Sequence, residues 1–136
     1  MFKTILFPID MSPETHHVAT LAAQLIKLHQ GRLMLLSVVE SSDSEPAKDH
    51  GRQSSPEAVA RLLSQAKEMF AAQGVAVETL EREGHPAFVI CDVADEMNAD
   101  LIVMGCRGIG LIDDSPVESV TNRVINLSPC PVLVVP

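Results

Sequence analysis

Residues 3–9, KTILFPI, and 32–39, RLMLLSVV, are near-continuous apolar runs. A strand with one wet face alternates apolar and polar residues, whereas a strand covered on both faces has no reason to, so the two runs predict buried strands of a parallel sheet. Between them, Ser12 can cap a helix with Pro13 at its first position and Glu14 in its first turn. Val18, Leu21, Ala22, Leu25, Ile26 and Leu28 then recur at helical spacing, and Gly31 supplies the stop. The result is a β-α-β unit.

The same alternation continues outward. Pro56 and Glu57 open a second helix with an apolar stripe of Val59, Leu62, Leu63, Ala66, Met69 and Phe70, ended at Gly74. In VAVETLERE, Val75, Val77 and Thr79 alternate with more polar neighbours and predict a third strand at an edge position. Gly84, His85 and Pro86 turn into a third helix whose Val89, Ile90, Val93, Ala94 and Met97 face inward. LIVMG at 101–105 is a further buried strand. Val117, Val120, Val124 and Leu127 mark a fourth helix that Pro129 ends, and PVLVV at 131–135 is the fifth strand. Strand and helix alternating in this way predict an open five-stranded parallel sheet, doubly wound, with helices on both faces: a Rossmann-like α/β fold.

The chain of 136 residues is of the usual size for one domain, and we expect a single domain over 1–136. Eighteen Asp and Glu outnumber ten Lys and Arg, for a formal charge of −8, and the basic residues form no stripe. A polyanion would be repelled, which argues against a nucleic-acid partner. No window approaches the ~18 consecutive apolar residues of a membrane span, so no membrane association is expected and the location is read as cytoplasmic. Cys91, Cys106 and Cys130 form no C-x-x-C pair and are odd in number, as for thiols in a reducing compartment. Cys91 and Cys130 are read as core packing. His16, His17, His29, His50 and His85 lack metal-ligand spacing, so no protein-held metal is expected.

In a doubly wound sheet, ligands bind outside the carboxyl ends of the strands where the strand order reverses. That rule selects Pro8, Ile9 and Asp10 after the first strand, Val38 and Val39 in the second, the loop GCRGIGL from Gly105, and the start of the last helix near Ser119. Gly105, Gly108 and Gly110 fall within six positions, and glycines so spaced can let backbone N–H groups approach an anion. The loop matches neither G-x-G-x-x-G after a first strand nor G-x-x-x-x-G-K-[ST], which disfavours an ordinary dinucleotide fold or a P-loop ATPase. Arg107 could neutralise a phosphate.

Gly105, two residues, Gly108, then Ser119 after a further gap, framed by LIVMGCRG and SPCPVLVV and opened by ILFPID, resembles the universal stress protein family over nearly the whole chain. The family signature is Gly, two residues, Gly, nine residues, then Gly followed by Ser or Thr. The resemblance implies an adenine nucleotide α-hydrolase-like fold, a homodimer formed through the 131–135 strand, and a nucleotide-binding stress-response and signalling module with an unidentified protein partner. It implies that Asp10 hydrogen-bonds the ribose or adenine, that Pro8 shapes the pocket edge, and that Val38 meets the adenine through its backbone. Backbone amides of Gly105, Gly108, Ile109 and Gly110 would take ribose and phosphate. Ser119, Val120 and Thr121 would set a helix N-terminus against phosphate oxygens.

One position departs from that signature: Glu118 stands where the family has Gly, in a loop that also carries Asp113 and Asp114. A carboxylate about 5 Å from a phosphate charge costs about 3 kcal/mol at an effective dielectric near ~20, or about a hundredfold in affinity. Mg²⁺ bridging carboxylate and phosphate, or a less charged ligand such as AMP or cyclic AMP, would relieve the repulsion. An acid in a first helical turn is also favoured by the macrodipole alone.

Asp10 and Ser119 have no recognisable His partner, so hydrolysis of ATP would be slow at most and the leading expectation is a non-catalytic module. Two alternatives stay open: a nucleotide-free interaction module of the same fold, for which Glu118, Asp113 and Asp114 argue, and an enzyme acting on an adenylated substrate. Residues 41–55, SSDSEPAKDHGRQSS, hold no large apolar side chain and are expected to form a mobile surface loop, because ordering costs about 1 to 2 kcal/mol per residue with little burial to offset it. Its amides should exchange with solvent far faster than those of 101–104, and equal protection in the two segments would contradict that expectation.

Overall fold

A computed structural model of the chain describes residues 2–9, 15–40, 56–105 and 120–136. The elements follow in the order β1 (Thr4–Pro8), α1 (Thr15–His29), β2 (Arg32–Glu40), α2 (Pro56–Ala72), β3 (Glu78–Gly84), α3 (Pro86–Glu96), β4 (Leu101–Gly105), α4 (Val120–Leu127) and β5 (Val132–Val135). The strands form one five-stranded parallel sheet in the order β3-β2-β1-β4-β5. This is the doubly wound, Rossmann-like α/β arrangement that the apolar runs predict. The chain steps from β1 outward to β2 and β3, then returns across β1 to β4 and β5, so the order reverses between β1 and β4.

Alternate residues of the strands feed two separate cores. Ile5, Phe7 and Ile9 of the first segment, with Leu33, Leu35, Leu101, Val103 and Val135, pack under α1 and α2. Leu6, Leu36, Val38, Ile102 and Met104 pack on the opposite face under α3 and α4. Burial on both faces is why β1, β2 and β4 read as unbroken apolar runs. Phe7 meets Phe70 of α2 edge-on, with ring centroids 6.2 Å apart, which locks α2 over the centre of the sheet.

Three details differ from the sequence reading. Leu28 and Leu127, placed on apolar stripes by spacing, are 74% and 49% exposed. Leu28, two residues past the buried Ile26, is turned about 200° from it at ~100° per residue, onto the outer side of α1, and Leu127 lies in the last turn of the eight-residue α4. In α1 the buried stripe is completed instead by Ala19 and Ala23, whose small side chains bring the helix close to the sheet. The third strand begins at Glu78, not Val75; Val75 and Val77 are buried in the α1/α2 core ahead of the strand. Its edge position is as expected, and its charged side chains make ion pairs: Arg32 of β2 is bidentate to Glu78 at 2.9 Å for both bonds, and Arg82 reaches Glu96 of α3 at 2.9 Å. These pairs are exposed and so contribute little to stability.

The turn after α1 uses its residues in an unexpected way. Gln30 takes the left-handed conformation, φ 54°, that ends the helix. Gly31 is needed for another reason: a methyl group there would overlap the backbone of Lys3, whose Cα and carbonyl carbon would lie 2.8 Å away, where Arg32 N–H bonds the Lys3 carbonyl at 2.7 Å. Gly31→Ala should therefore destabilise the fold by about 1 to 3 kcal/mol, the usual cost of overpacking against groups that cannot move. Urea unfolding measures it, and a midpoint equal to wild type would show that the β1–β2 contact can relax.

Candidate functional site

The expected crevice lies at the carboxyl edge of the sheet, where β1 and β4 flank the reversal of strand order. β1 is paired with β2 along all five of its residues but with β4 only through Ile5–Leu101 and Leu6–Ile102. Backbone chemistry explains the difference. Ile9 N–H donates to the Leu36 carbonyl of β2 at 2.8 Å, while the Thr4 carbonyl accepts from Asp100 N–H on the β4 side at 2.7 Å. Successive residues of a strand address opposite neighbours, so Pro8, in phase with Thr4, addresses β4. The next pair in register, Phe7 with Val103, would need an N–H on residue 8, and proline has none. The ladder between the two central strands therefore stops at Leu6–Ile102, and Pro8 sits on the open side of β1.

At the amino edge the same two strands are held firmly. The Asp100 carboxylate accepts the Lys3 and Thr4 backbone N–H groups at 3.0 Å each. The pair is thus closed at one end and unladdered at the other.

Gly105 is the last residue of β4 and is paired with Val135 of β5. Its backbone is not left-handed, in contrast to Gly74 and Gly84; its constraint is space, because a methyl group would stand 3.3 Å from Val18 Cγ2 of α1. Its carbonyl accepts a hydrogen bond of 3.1 Å from Thr121 Oγ1 in the first turn of α4. Thr121 is 6% exposed, and it and Ser37 are the buried polar residues among those described. Val38 is 6% exposed and contributes to the α3/α4 core, against which Val120 also packs.

Of the residues that the sequence assigns to a nucleotide site, Pro8, Val38, Gly105, Val120 and Thr121 are described. They occupy the end of β1, the distal part of β2, the end of β4 and the start of α4, and Gly105 and Thr121 are in direct contact. Asp10, Arg107, Gly108, Ile109, Gly110 and Ser119 lie outside the described residues, as do Cys106, Glu118, Asp113, Asp114 and the 41–55 segment. The sequence reading did not find two features: the donor that Pro8 withholds from β4, whose only signal is proline's position inside an apolar run, and the Gly105–Thr121 bond.

Burial pushes up the pKa of both the Cys91 and Cys130 thiols. Asp92 and Cys130 add to the effect at Cys91, while the hydrogen bond with Ser128 opposes it at Cys130. Both are kept protonated, which suits packing against the α3/α4 core and not nucleophilic chemistry. Among the described residues no group of three or more His, Cys, Asp or Glu could hold a metal ion, and no helix is long and apolar enough to cross a membrane. A surface groove of about 320 Å³ lies elsewhere, between α2 and β3, lined by residues including Leu63, Lys67, Thr79 and Glu81.

The sequence profile of the universal stress protein family matches residues 1–136. A universal stress protein of Synechocystis sp. is 61% identical over 138 residues, covering 100% of this chain and 87% of its own length. Two solved structures share the fold: a universal stress protein in complex with cAMP, with a TM-score of 0.78 and 24% identity over 98% of this chain and 96% of its own, and the universal stress protein from Archaeoglobus fulgidus in complex with dAMP, with a TM-score of 0.75 and 24% identity over 100% of both chains. The profile match over the full length and the identity to the Synechocystis protein show that this chain belongs to the universal stress protein family.

Proposed function

We propose that this chain is a single-domain, adenine-nucleotide-binding module that signals by binding and does not catalyse. The observation that carries the reading is the carboxyl edge of the sheet: the β1–β4 ladder stops at Leu6–Ile102, Pro8 addresses the β4 side without a donor, and the Thr121 hydroxyl joins the start of α4 to Gly105 at the end of β4. Family membership and the adenine mononucleotides held by two proteins of the same fold support the same reading.

In this account the adenine, an apolar plate with polar edges, lies against Val38 and is read by backbone groups, and Asp10 accepts from the ribose. Gly105, Gly108, Ile109 and Gly110 offer backbone amides toward ribose and phosphate, with Arg107 as a counter-charge. The first turn of α4, from Ser119 through Val120 and Thr121, presents the positive end of its dipole to the phosphate. Nucleotide then alters a surface that a protein partner in the cytoplasm reads. In the sequence, Asp10 and Ser119 have no recognisable His partner, so ATP hydrolysis is at most slow. Glu118, Asp113, Asp114 and the net charge of −8 favour a ligand with few phosphates, AMP or cyclic AMP, unless Mg²⁺ accompanies ATP.

Isothermal titration of wild type and Glu118→Gly with ATP and AMP, each with and without Mg²⁺, tests this. The substitution should tighten ATP binding about tenfold or more and change AMP binding much less. Unchanged ATP affinity would remove Glu118 from the account, a loss of Mg²⁺-dependent affinity would favour metal bridging, and no binding of either nucleotide by wild type would favour the interaction module that has kept only the fold.

We further propose that the module is a homodimer paired through β5. The two edges of the sheet differ: β3 carries Glu78, Glu81, Arg82 and Glu83, whereas β5 reads VLVV with Val132, Leu133 and Val134 only half-buried. Charged residues guard an edge and uncharged apolar ones invite pairing. Ile125 and Leu127 of α4, 48% and 49% exposed, lie on the helix that precedes this edge. Sedimentation at micromolar concentration should give a species of twice the 14.7 kDa chain mass, and a 14.7 kDa species alone would overturn the dimer.

A further inference from the structure

The resemblance implies that Thr121 helps set a helix N-terminus against phosphate, and the structure shows that its hydroxyl is engaged within the protein. A threonine hydroxyl has one hydrogen to give. Here that hydrogen goes to the Gly105 carbonyl at 3.1 Å, across a sequence separation of 16 residues. A nucleotide phosphate offers only acceptors, so the same hydroxyl cannot donate to both. The two ends of this bond are held differently: Gly105 is packed against Val18 and paired with Val135, whereas Thr121 lies in the first turn of an eight-residue helix. The bond therefore anchors the short helix to the fixed strand. Val124, one turn further along the same helix face, is fully buried and continues the attachment through apolar contact.

We infer that Thr121 is a positioning residue, whose hydroxyl holds the first turn of α4 against the carboxyl end of β4 and so sets where the helix N-terminus stands relative to a bound phosphate. The inference deepens the nucleotide-binding reading and rests on it for its functional consequence. It also assigns different roles to neighbouring groups: the backbone of the first turn of α4 addresses the ligand, while the Thr121 side chain addresses the protein. Removing the hydroxyl then moves the phosphate-binding end of the site and leaves the nucleoside end, at Pro8 and Val38, as it was.

The test compares the full chain as wild type, Thr121→Val, which keeps the branched shape and loses the donor, Thr121→Ala as a second variant without the hydroxyl, and Thr121→Ser, which restores it. Titration with adenosine and with AMP should show AMP weakened about fivefold in the valine and alanine variants, adenosine within about twofold of wild type, and AMP affinity recovered by serine. AMP affinity equal to wild type in both hydroxyl-less variants would overturn the inference, and so would an equal loss for adenosine and AMP, which marks general destabilisation. A second readout needs no ligand: amide hydrogen exchange at Val124 and Ile125 should be faster in the valine variant than in wild type and serine, and unchanged exchange would overturn the anchoring. If wild type binds neither adenosine nor AMP, the nucleotide reading falls and the exchange measurement alone decides the anchor.

Discussion

The hydrogen-bond ladder on either side of β1 is the constraint from which the rest of the arrangement follows. β1 is central, buried on both faces, and bonded to β2 along its whole length. Toward β4 it is clamped at the amino end by the Asp100 carboxylate and released at the carboxyl end by a proline that cannot donate. A proline in a central strand would ordinarily weaken a sheet. Here it falls on the last residue, at the point where strand order reverses and the connections on the two sides diverge. The missing bond is thereby placed where a crevice is wanted.

From that opening the site can be assembled with few moving parts. Gly105 ends β4 beside it, too closely packed against Val18 to carry a side chain without displacement. α4 returns to the same edge and is tied there by Thr121. The electrostatics pull the other way, since a chain of net charge −8 with acids at 113, 114 and 118 disfavours a highly charged ligand. The proposed preference for AMP or cyclic AMP combines a sheet edge that we assign to an adenine nucleotide with acidic sequence positions that would repel many phosphates.

The fold was legible because its physics is local and periodic. Runs such as LIVM and RLMLLSVV announce strands covered on both faces, and the stripe from Val59 to Phe70 announces the helix that covers them. What failed was positional. Leu28 and Leu127 were assigned to stripes they do not join: Leu28 stands two residues from Ile26, on the opposite side of α1, and Leu127 ends α4. Glycine is ambiguous in sequence as well: Gly31 looked like a helix stop, but Gln30 supplies the left-handed turn and Gly31 is needed for the approach of Lys3. The candidate site is drawn in the sequence as a set of strand ends and a spaced-glycine motif, but not as contacts. That Pro8 addresses β4, and that the Thr121 hydroxyl turns inward to Gly105, depend on register and packing that no spacing encodes.

The central claim is that an adenine nucleotide occupies the carboxyl edge at the β1–β4 reversal. Backbone amide chemical-shift mapping of the isotopically labelled chain during titration with AMP tests it most directly. The account predicts that the largest changes fall on Ile9, Val38, Val39, Gly105, Val120 and Thr121, with Thr79 and Glu81 beside the α2–β3 groove unchanged. Changes concentrated on that groove, or none at saturating AMP, would contradict it.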